Sequence, residues 1–372
     1  MRPLVPIAAA AGPAAVFERL RAALAGGPAL FVASGSGDPS PLPAQLGQAI
    51  GLVVETSGST GRPKRVALPA DAVLASAAAS ESALGGPAQW VLALPVHYIA
   101  GLNVLARSIC AGTEPVAVPP GGFTASGFLD AVARLAIPER CVALVPAQLA
   151  TLLDDPAATD ALRGFAAVLV GGQATPATLL ERARAAGVHV VRSYGSSETS
   201  GGCVYDGVPL GSTRVRVEAG EVWLGGATLA QGYLGDDSLT AERFVVADGA
   251  RWFRTADAGE WDGARLRVTG RRDDVIVSGG VKVALSAIEE QLRRHPGFAE
   301  VAVVAVPDAR WGERPVAVAA GRAVDDAAAV AAVAAALGPV GRPDRVVRVA
   351  ALPLLPTGKL DRRAVLDLAT RP

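Results

Sequence analysis

Lysine is scarce in this chain: of its 35 basic residues only Lys64, Lys282 and Lys359 are lysine, and the rest are arginine. Where a compact ammonium persists against that bias, its point charge is a candidate for chemistry. Lys64 ends the stretch TSGSTGRPK, which runs from Thr56 directly after the apolar segment GLVVE at 51–55. A glycine-rich loop leaving a strand can turn its backbone N–H groups inward as an anion-binding nest. Gly58 and Gly61, with the hydroxyls of Thr56, Ser57, Ser59 and Thr60, therefore read as a phosphate cradle. The common phosphate-loop pattern G-x-x-x-x-G-K-[ST] is absent, because Gly61 is followed by Arg-Pro-Lys; taken alone, the loop also reads as an ordinary turn. Further along, in LPVHYIAGLNVLARSICAG, His97 sits just after a strand, where an aromatic ring could gate a carboxylate pocket. Arg107 interrupts the apolar helix that follows. An arginine there must snorkel or find a partner, and a second carboxylate on a substrate would serve.

The elements that must carry these residues show as an alternation. From residue 28 to about 195 the runs ALFVA, GLVVE, WVLALP, PVAVP, CVALVP, AVLVGG and HVVRSYG read as strands, with helices at 69–83, 100–111, 124–135, 146–153 and 176–186 set off by Gly, Pro or Asp. That alternation predicts a largely parallel α/β sheet. Between 203 and 268, Gly-punctuated short strands predict a β-rich subdomain. After GRRDD at 270–274, a helix over 285–294, strands VAVVAVP and PVAVAA, a helix over 325–336 and strand VVRVAAL predict an α+β unit of about 100 residues. The expected architecture is α/β: an N-terminal domain 1–272 with mostly parallel sheets and the β-rich part, then a small C-terminal domain 273–372.

At these residues the chain resembles the adenylate-forming superfamily of acyl-CoA synthetases, peptide-synthetase adenylation domains and luciferases. TSGSTGRPK matches the family's [ST]SG[ST]TGxPK loop throughout, and five further segments follow in the family's order: VGG at 170–172, YGSSET at 194–199, TAD at 255–257, GRRDD at 270–274 and PTGK at 356–359. The resemblance implies an AMP-forming carboxylate–CoA ligase with a mobile C-terminal domain, using ATP, Mg2+ and CoA. It implies that Lys64 and the 56–61 loop meet the ATP phosphates, that Gly171, Gly172, Gln173, Tyr194 and Gly195 approach the adenine, and that Asp257 and Arg271 hold the ribose hydroxyls. Glu198 takes the place of the Mg2+ ligand and Thr199 that of a phosphate contact. Lys359 takes the place of the lysine that bridges substrate carboxylate and α-phosphate, Asp273 that of the pivot, and Gly279 and Gly280 that of the segment brought towards the incoming thiol. Ser193 and Gly195 join His97 and Arg107 around the acid, with His97 counted alongside Lys359 and Glu198 as catalytic. Ala256 stands where the family usually has Gly.

Residues 95–110 contain no acidic side chain, whereas members that activate amino acids place an Asp there for the amino group. The segments HYIAGLNVLARSI and SYGSSETSGGCVYDGVPL instead resemble members that activate an aromatic acid carrying two carboxylates. The alternatives are another acyl- or aryl-CoA synthetase, or a homologue that holds nucleotide without reaction.

Composition sets outer limits. With 372 residues, 51% hydrophobic and 19% charged, the chain is not a disordered one, and its formal net charge of zero gives no attraction to nucleic acid or an anionic membrane. Small molecules are the expected partners, and a homodimer stays open. Cys110, Cys141 and Cys203 are far apart and odd in number, which indicates neither a disulfide framework nor a zinc site and points to a reducing cytoplasm. Pro3, Pro6 and Pro13 break the apolar start, arguing against a signal peptide. No apolar window runs for the roughly 20 residues a membrane-spanning helix needs.

Overall fold

Alternation along the buried strands fixes the layers of this protein. The structure, a computed structural model, describes residues 1–34, 41–56, 63–278, 280–308, 310–354 and 360–371. The chain falls into two compact units, Met1–Arg216 with Trp223–Thr255 and Trp261–Leu266, and Val217–Val222 with Ala256–Glu260 and Arg267–Pro372.

The first unit holds two large sheets. One runs in the order Gly232–Tyr233, Lys64–Pro69, Ile50–Thr56, Ala29–Ala33, Arg2–Ala8, Gln45–Leu46. The other runs Val208–Pro209, Gly201–Tyr205, Val190–Ser196, Ala167–Gly171, Arg140–Leu144, Gln89–Leu92, Val116–Ala117. In the second sheet the five strands from Val190–Ser196 onward are parallel. The first is mixed, since Lys64–Pro69 pairs antiparallel on both of its edges. Side chains at odd and even positions leave a strand on opposite faces. Leu30, Val32, Trp90 and Leu92 thus share one core with Val16 and Leu20 of helix Pro13–Leu24 and with Leu102 and Leu105 of helix Ile99–Cys110. Phe31 turns the other way to Leu4 and Val53, and Val91 to Phe128, Leu149 and Leu162. Each fully buried side chain of this size contributes about 1.5–3 kcal/mol relative to exposure.

The strand Arg2–Ala8 was not expected, because Pro3 and Pro6 demote a run as a strand. Its pairing supplies the reason it is tolerated. It lies parallel to Ala29–Ala33 along one edge, while on the other Gln45–Leu46 meets only Arg2 and Pro3, so most of that edge asks for no N–H donor.

In the β-rich stretch the strands are Arg214–Glu218, Glu221–Gly225, Phe244–Ala247, Ala250–Trp261 and Leu266–Arg271, and the division between the units falls within them. In the second unit Val301–Asp308 pairs antiparallel with Gly312–Ala320, which pairs parallel with Val346–Val349. Val301, Val303, Ala317 and Ala319 pack on helices Leu285–Leu292 and Asp326–Leu337. Ala302, Val304, Val316 and Val318 pack on helix Arg362–Thr370. Among the described residues no helix is long and apolar enough to cross a membrane, and all three cysteines are free.

Candidate active site

Lys64 opens the strand Lys64–Pro69 and stands opposite Thr56, the last residue of Ile50–Thr56, so this pair closes the hairpin from which the glycine-rich loop departs. The Thr56 hydroxyl donates to the Lys64 carbonyl at 3.4 Å. Along the other edge of the lysine strand, Tyr233 lies opposite Val66. Lys64 and Val66 are two residues apart and project to the same face, and Lys64 Nζ lies 5.8 Å from the centroid of the Tyr233 ring. The Tyr233 hydroxyl donates to Glu198 Oε1 at 2.8 Å, and the Glu198 carbonyl accepts the Ala230 N–H at 2.8 Å. An ammonium over the ring face and a carboxylate at the hydroxyl, drawn from different chain segments, thereby meet on one tyrosine. Burial first, and then the Glu198 charge, push the Tyr233 phenol well above its ordinary 10.0, so it remains a proton donor at neutral pH.

Glu198 sits in the single turn Ser197–Thr199 that follows strand Val190–Ser196. The Thr199 hydroxyl accepts the Ser196 N–H at 3.0 Å and donates to the Gly201 carbonyl at 2.8 Å. Ser200 then adopts φ 52°, a left-handed conformation that costs an L-residue about 1–2 kcal/mol. Three hydrogen bonds hold it there: its carbonyl accepts from Asn103 Nδ2 at 2.9 Å and Ser76 Oγ at 3.0 Å, and its hydroxyl donates to the Thr228 carbonyl at 2.9 Å. A Cβ at Gly195 would stand 2.1 Å from the Gly201 carbonyl oxygen, so the returning strand approaches too closely for any side chain.

Gly171 ends a parallel strand beside Ser193, and a Cβ on it would meet the Ser193 carbonyl oxygen at 2.7 Å. Gly172 follows at φ 83°, Gln173 is exposed, and Tyr194 is half-buried opposite Val204. Gly171, Glu198 and His97 all lie at or just beyond the carboxyl ends of parallel strands, where open α/β sheets form their ligand crevices.

His97 stands in the turn between strand Gln89–Leu92 and helix Ile99–Cys110, its ring tilted 51° against that of Tyr98 with centroids 4.1 Å apart, and burial lowers its pKa, leaving the ring neutral at pH 7. Arg107 is buried. Its guanidinium lies over Trp90 at 4.8 Å and donates to the Tyr205 hydroxyl at 3.2 Å, while its Nε is buried without a partner. Among the described residues no carboxylate pairs with it, and no hydrogen bond joins it to His97.

In the second unit Asp257 and Arg271 pair at 3.3 Å. Just before Asp257, Ala256 takes φ 61° and gives its N–H to Glu221 Oε1 at 3.2 Å, while Arg272 reaches Glu221 Oε2 at 3.4 Å. Gly280 is exposed at φ 81°. The backbone of Asp273 lies in the turn Arg272–Asp274. Its side chain lies outside the described residues, as do Ser57, Gly58, Ser59, Thr60, Gly61, Gly279 and Lys359.

The pattern of the family described as AMP-binding enzyme matches residues 38–234, and that of the AMP-binding enzyme C-terminal domain matches 287–359. This chain belongs to the AMP-binding enzymes. It is 46% identical over 278 residues to a probable 2-succinylbenzoate–CoA ligase of Mycobacterium tuberculosis, a match covering 73% of this chain and 71% of the relative. Two solved structures of the o-succinylbenzoate CoA synthetase of Bacillus subtilis are similar. The complex with the acyl-adenylate intermediate OSB-AMP has a TM-score of 0.74 and 25% identity, covering 94% of this chain and 80% of that one. The complex with ATP and magnesium ion has a TM-score of 0.75 and 25% identity, covering 94% and 82%.

For an AMP-binding enzyme three of the observed residues carry weight that the sequence reading missed. Tyr233 links Lys64 to Glu198, Asn103 fixes the backbone just after Glu198, and Glu221 holds the strained Ala256. Each works across 35 or more positions of sequence, and only the pairing of Gly232–Tyr233 with the lysine strand brings the first into view.

Proposed function

We propose that this AMP-binding enzyme is an acid–thiol ligase that activates 2-succinylbenzoate with ATP and transfers the acyl group to CoA, the chemistry of a step in menaquinone biosynthesis. The observation that carries the reading is the Lys64–Tyr233–Glu198 cluster, a cation and a carboxylate that both meet one buried tyrosine. The 46% identical mycobacterial relative supports the choice of acid.

In the first half-reaction a carboxylate oxygen of the acid bonds to the α-phosphorus of ATP while the bond to the bridging oxygen breaks, and pyrophosphate departs. Charge grows on the leaving phosphates, and preorganised cations there lower the barrier. Lys64 supplies one. Mg2+ is usually held by one or two carboxylates together with phosphate oxygens and water, and Glu198 fits that part with Oε2, because Oε1 is taken by Tyr233. When bound, the ion neutralises and orients the phosphates. Gly171 and Gly172 let backbone approach the base, Tyr194 offers it a flat face, and Asp257 with Arg271 takes the ribose. Lys359 is assigned the bridge between acid and α-phosphate on the PTGK segment. In the second half-reaction the CoA thiolate bonds to the acyl carbon and the bond to AMP breaks.

His97, half-buried and neutral, can donate one N–H to the reacting carboxylate. Arg107 is assigned to the second carboxylate of the acid, supported by the buried Nε that no group among the described residues satisfies. The test is formation of CoA thioester and pyrophosphate from ATP, CoA and 2-succinylbenzoate, beside benzoate and fatty acids. Thioester from 2-succinylbenzoate alone is expected. No pyrophosphate release with it overturns the choice of acid, and no acyl-AMP with any acid overturns the enzyme.

A further inference from the structure

We propose that Tyr233 is a positioning residue for the nucleotide site: its hydroxyl fixes one oxygen of Glu198 and its ring seats Lys64, so that carboxylate and ammonium are held ready for Mg·ATP instead of neutralising each other. The proposal rests on the reading of Glu198 as the Mg2+ ligand. Lys64 and Glu198 carry opposite charges on neighbouring segments, yet among the described residues no ion pair joins them. Both instead approach the Tyr233 side chain, Lys64 Nζ over its ring at 5.8 Å from the centroid and Glu198 Oε1 2.8 Å from its hydroxyl.

Tyr233 is itself held fast. It is 6% exposed, and its ring meets Phe244 edge-on at 5.8 Å, which in turn stacks on Phe253 at 5.1 Å. Its N–H donates to Thr240 Oγ1 at 2.9 Å. The preceding Gly232 has φ 152°, and a Cβ there would come within 2.4 Å of Thr240 Cγ2, so the close passage beside helix Asp237–Arg243 that aims the tyrosine requires glycine. The phenol cannot swing away without disturbing this packing. Mg2+ demands near-ideal octahedral geometry, and groups that hydrogen-bond a metal's ligand orient it for the ion. With Oε1 held by the phenol, Oε2 is the oxygen turned over to the cation. A face-on ring contact attracts an ammonium less than a carboxylate does, so Lys64 stays free to move onto phosphate when nucleotide arrives.

Tyr233→Phe keeps the ring and deletes only the hydroxyl. ATP binding is measured by calorimetry on the full chain, once with excess EDTA and once across a Mg2+ titration, with thermal unfolding as a check of the fold. Affinity in EDTA is expected to match the wild type, whereas the Mg2+ concentration that half-maximally strengthens binding rises roughly tenfold or more. Glu198→Gln is expected to abolish the strengthening, and the double variant to be no worse than Glu198→Gln alone, because both changes remove one unit. Wild-type Mg2+ dependence in Tyr233→Phe beside its loss in Glu198→Gln overturns the proposal, as does a double variant whose losses add. Wild-type Mg2+ dependence in Glu198→Gln overturns the underlying reading of the metal ligand instead. Should the Phe variant unfold, Glu198→Asp draws the carboxylate back from the hydroxyl while keeping its charge. Unchanged Mg2+ dependence there overturns the proposal equally.

Discussion

Ala256 takes φ 61° in the TAD segment, a left-handed conformation that suits glycine. The strain costs about 1–2 kcal/mol, and the Ala256 N–H donated to Glu221 Oε1 at 3.2 Å helps to hold it. The family habit of Gly at this place thus has a backbone reason that this chain meets by a different device. Ala256→Gly removes the strain but adds about 0.4–1 kcal/mol of unfolded-state entropy. A net gain in unfolding free energy of up to about 1.5 kcal/mol is expected. Urea titration measures it, and a loss of stability would show that the added unfolded-state entropy outweighs the strain relieved. The motif residue was legible in the sequence. Its partner Glu221, 35 positions earlier, was not, because nothing local distinguishes it from other strand acids.

At the scale of elements, the acid side depends on how tightly helix Ile99–Cys110 follows strand Gln89–Leu92. A Cβ on Gly101 would stand 2.2 Å from the Pro95 carbonyl oxygen, so helix and turn are in backbone contact and His97 is carried on the crossing. Gly101→Ala must push them apart, an overpacking that costs about 1–3 kcal/mol. Raised KM for the acid with KM for ATP unchanged is the expected kinetic signature, read by pyrophosphate release. Equal rises in both would place the strain elsewhere. The helix itself was expected over 100–111 and is found at Ile99–Cys110, since a long apolar period survives a boundary error of one residue. The two-residue strand Gly232–Tyr233 was not anticipated, for a pair of residues has no period to read.

At the scale of the whole molecule, the two half-reactions ask for different surroundings of one acyl group. The proposal that the 273–372 domain turns about Asp273 answers that demand. The backbone of this residue lies in the short turn Arg272–Asp274 rather than inside a longer element, where a change of φ and ψ is absorbed most cheaply. Asp273→Pro fixes φ near −65° and is expected to depress thioester formation while leaving acyl-adenylate formation largely intact. Separate assays of pyrophosphate release and of thioester decide it, and parallel loss of both would remove Asp273 from the role of pivot.

The sequence by itself determined the family, the α/β alternation and the order of the nucleotide motifs, because glycine-rich loops and apolar periods are local signals that survive in one dimension. It also marked Lys64 and Glu198. Only the tertiary structure decided which side chain both of them meet. Tyr233 reaches Glu198 across 35 positions and Asn103 reaches Ser200 across 97. Strand pairing and the packing of a buried helix create such contacts, and no spacing along the chain encodes them.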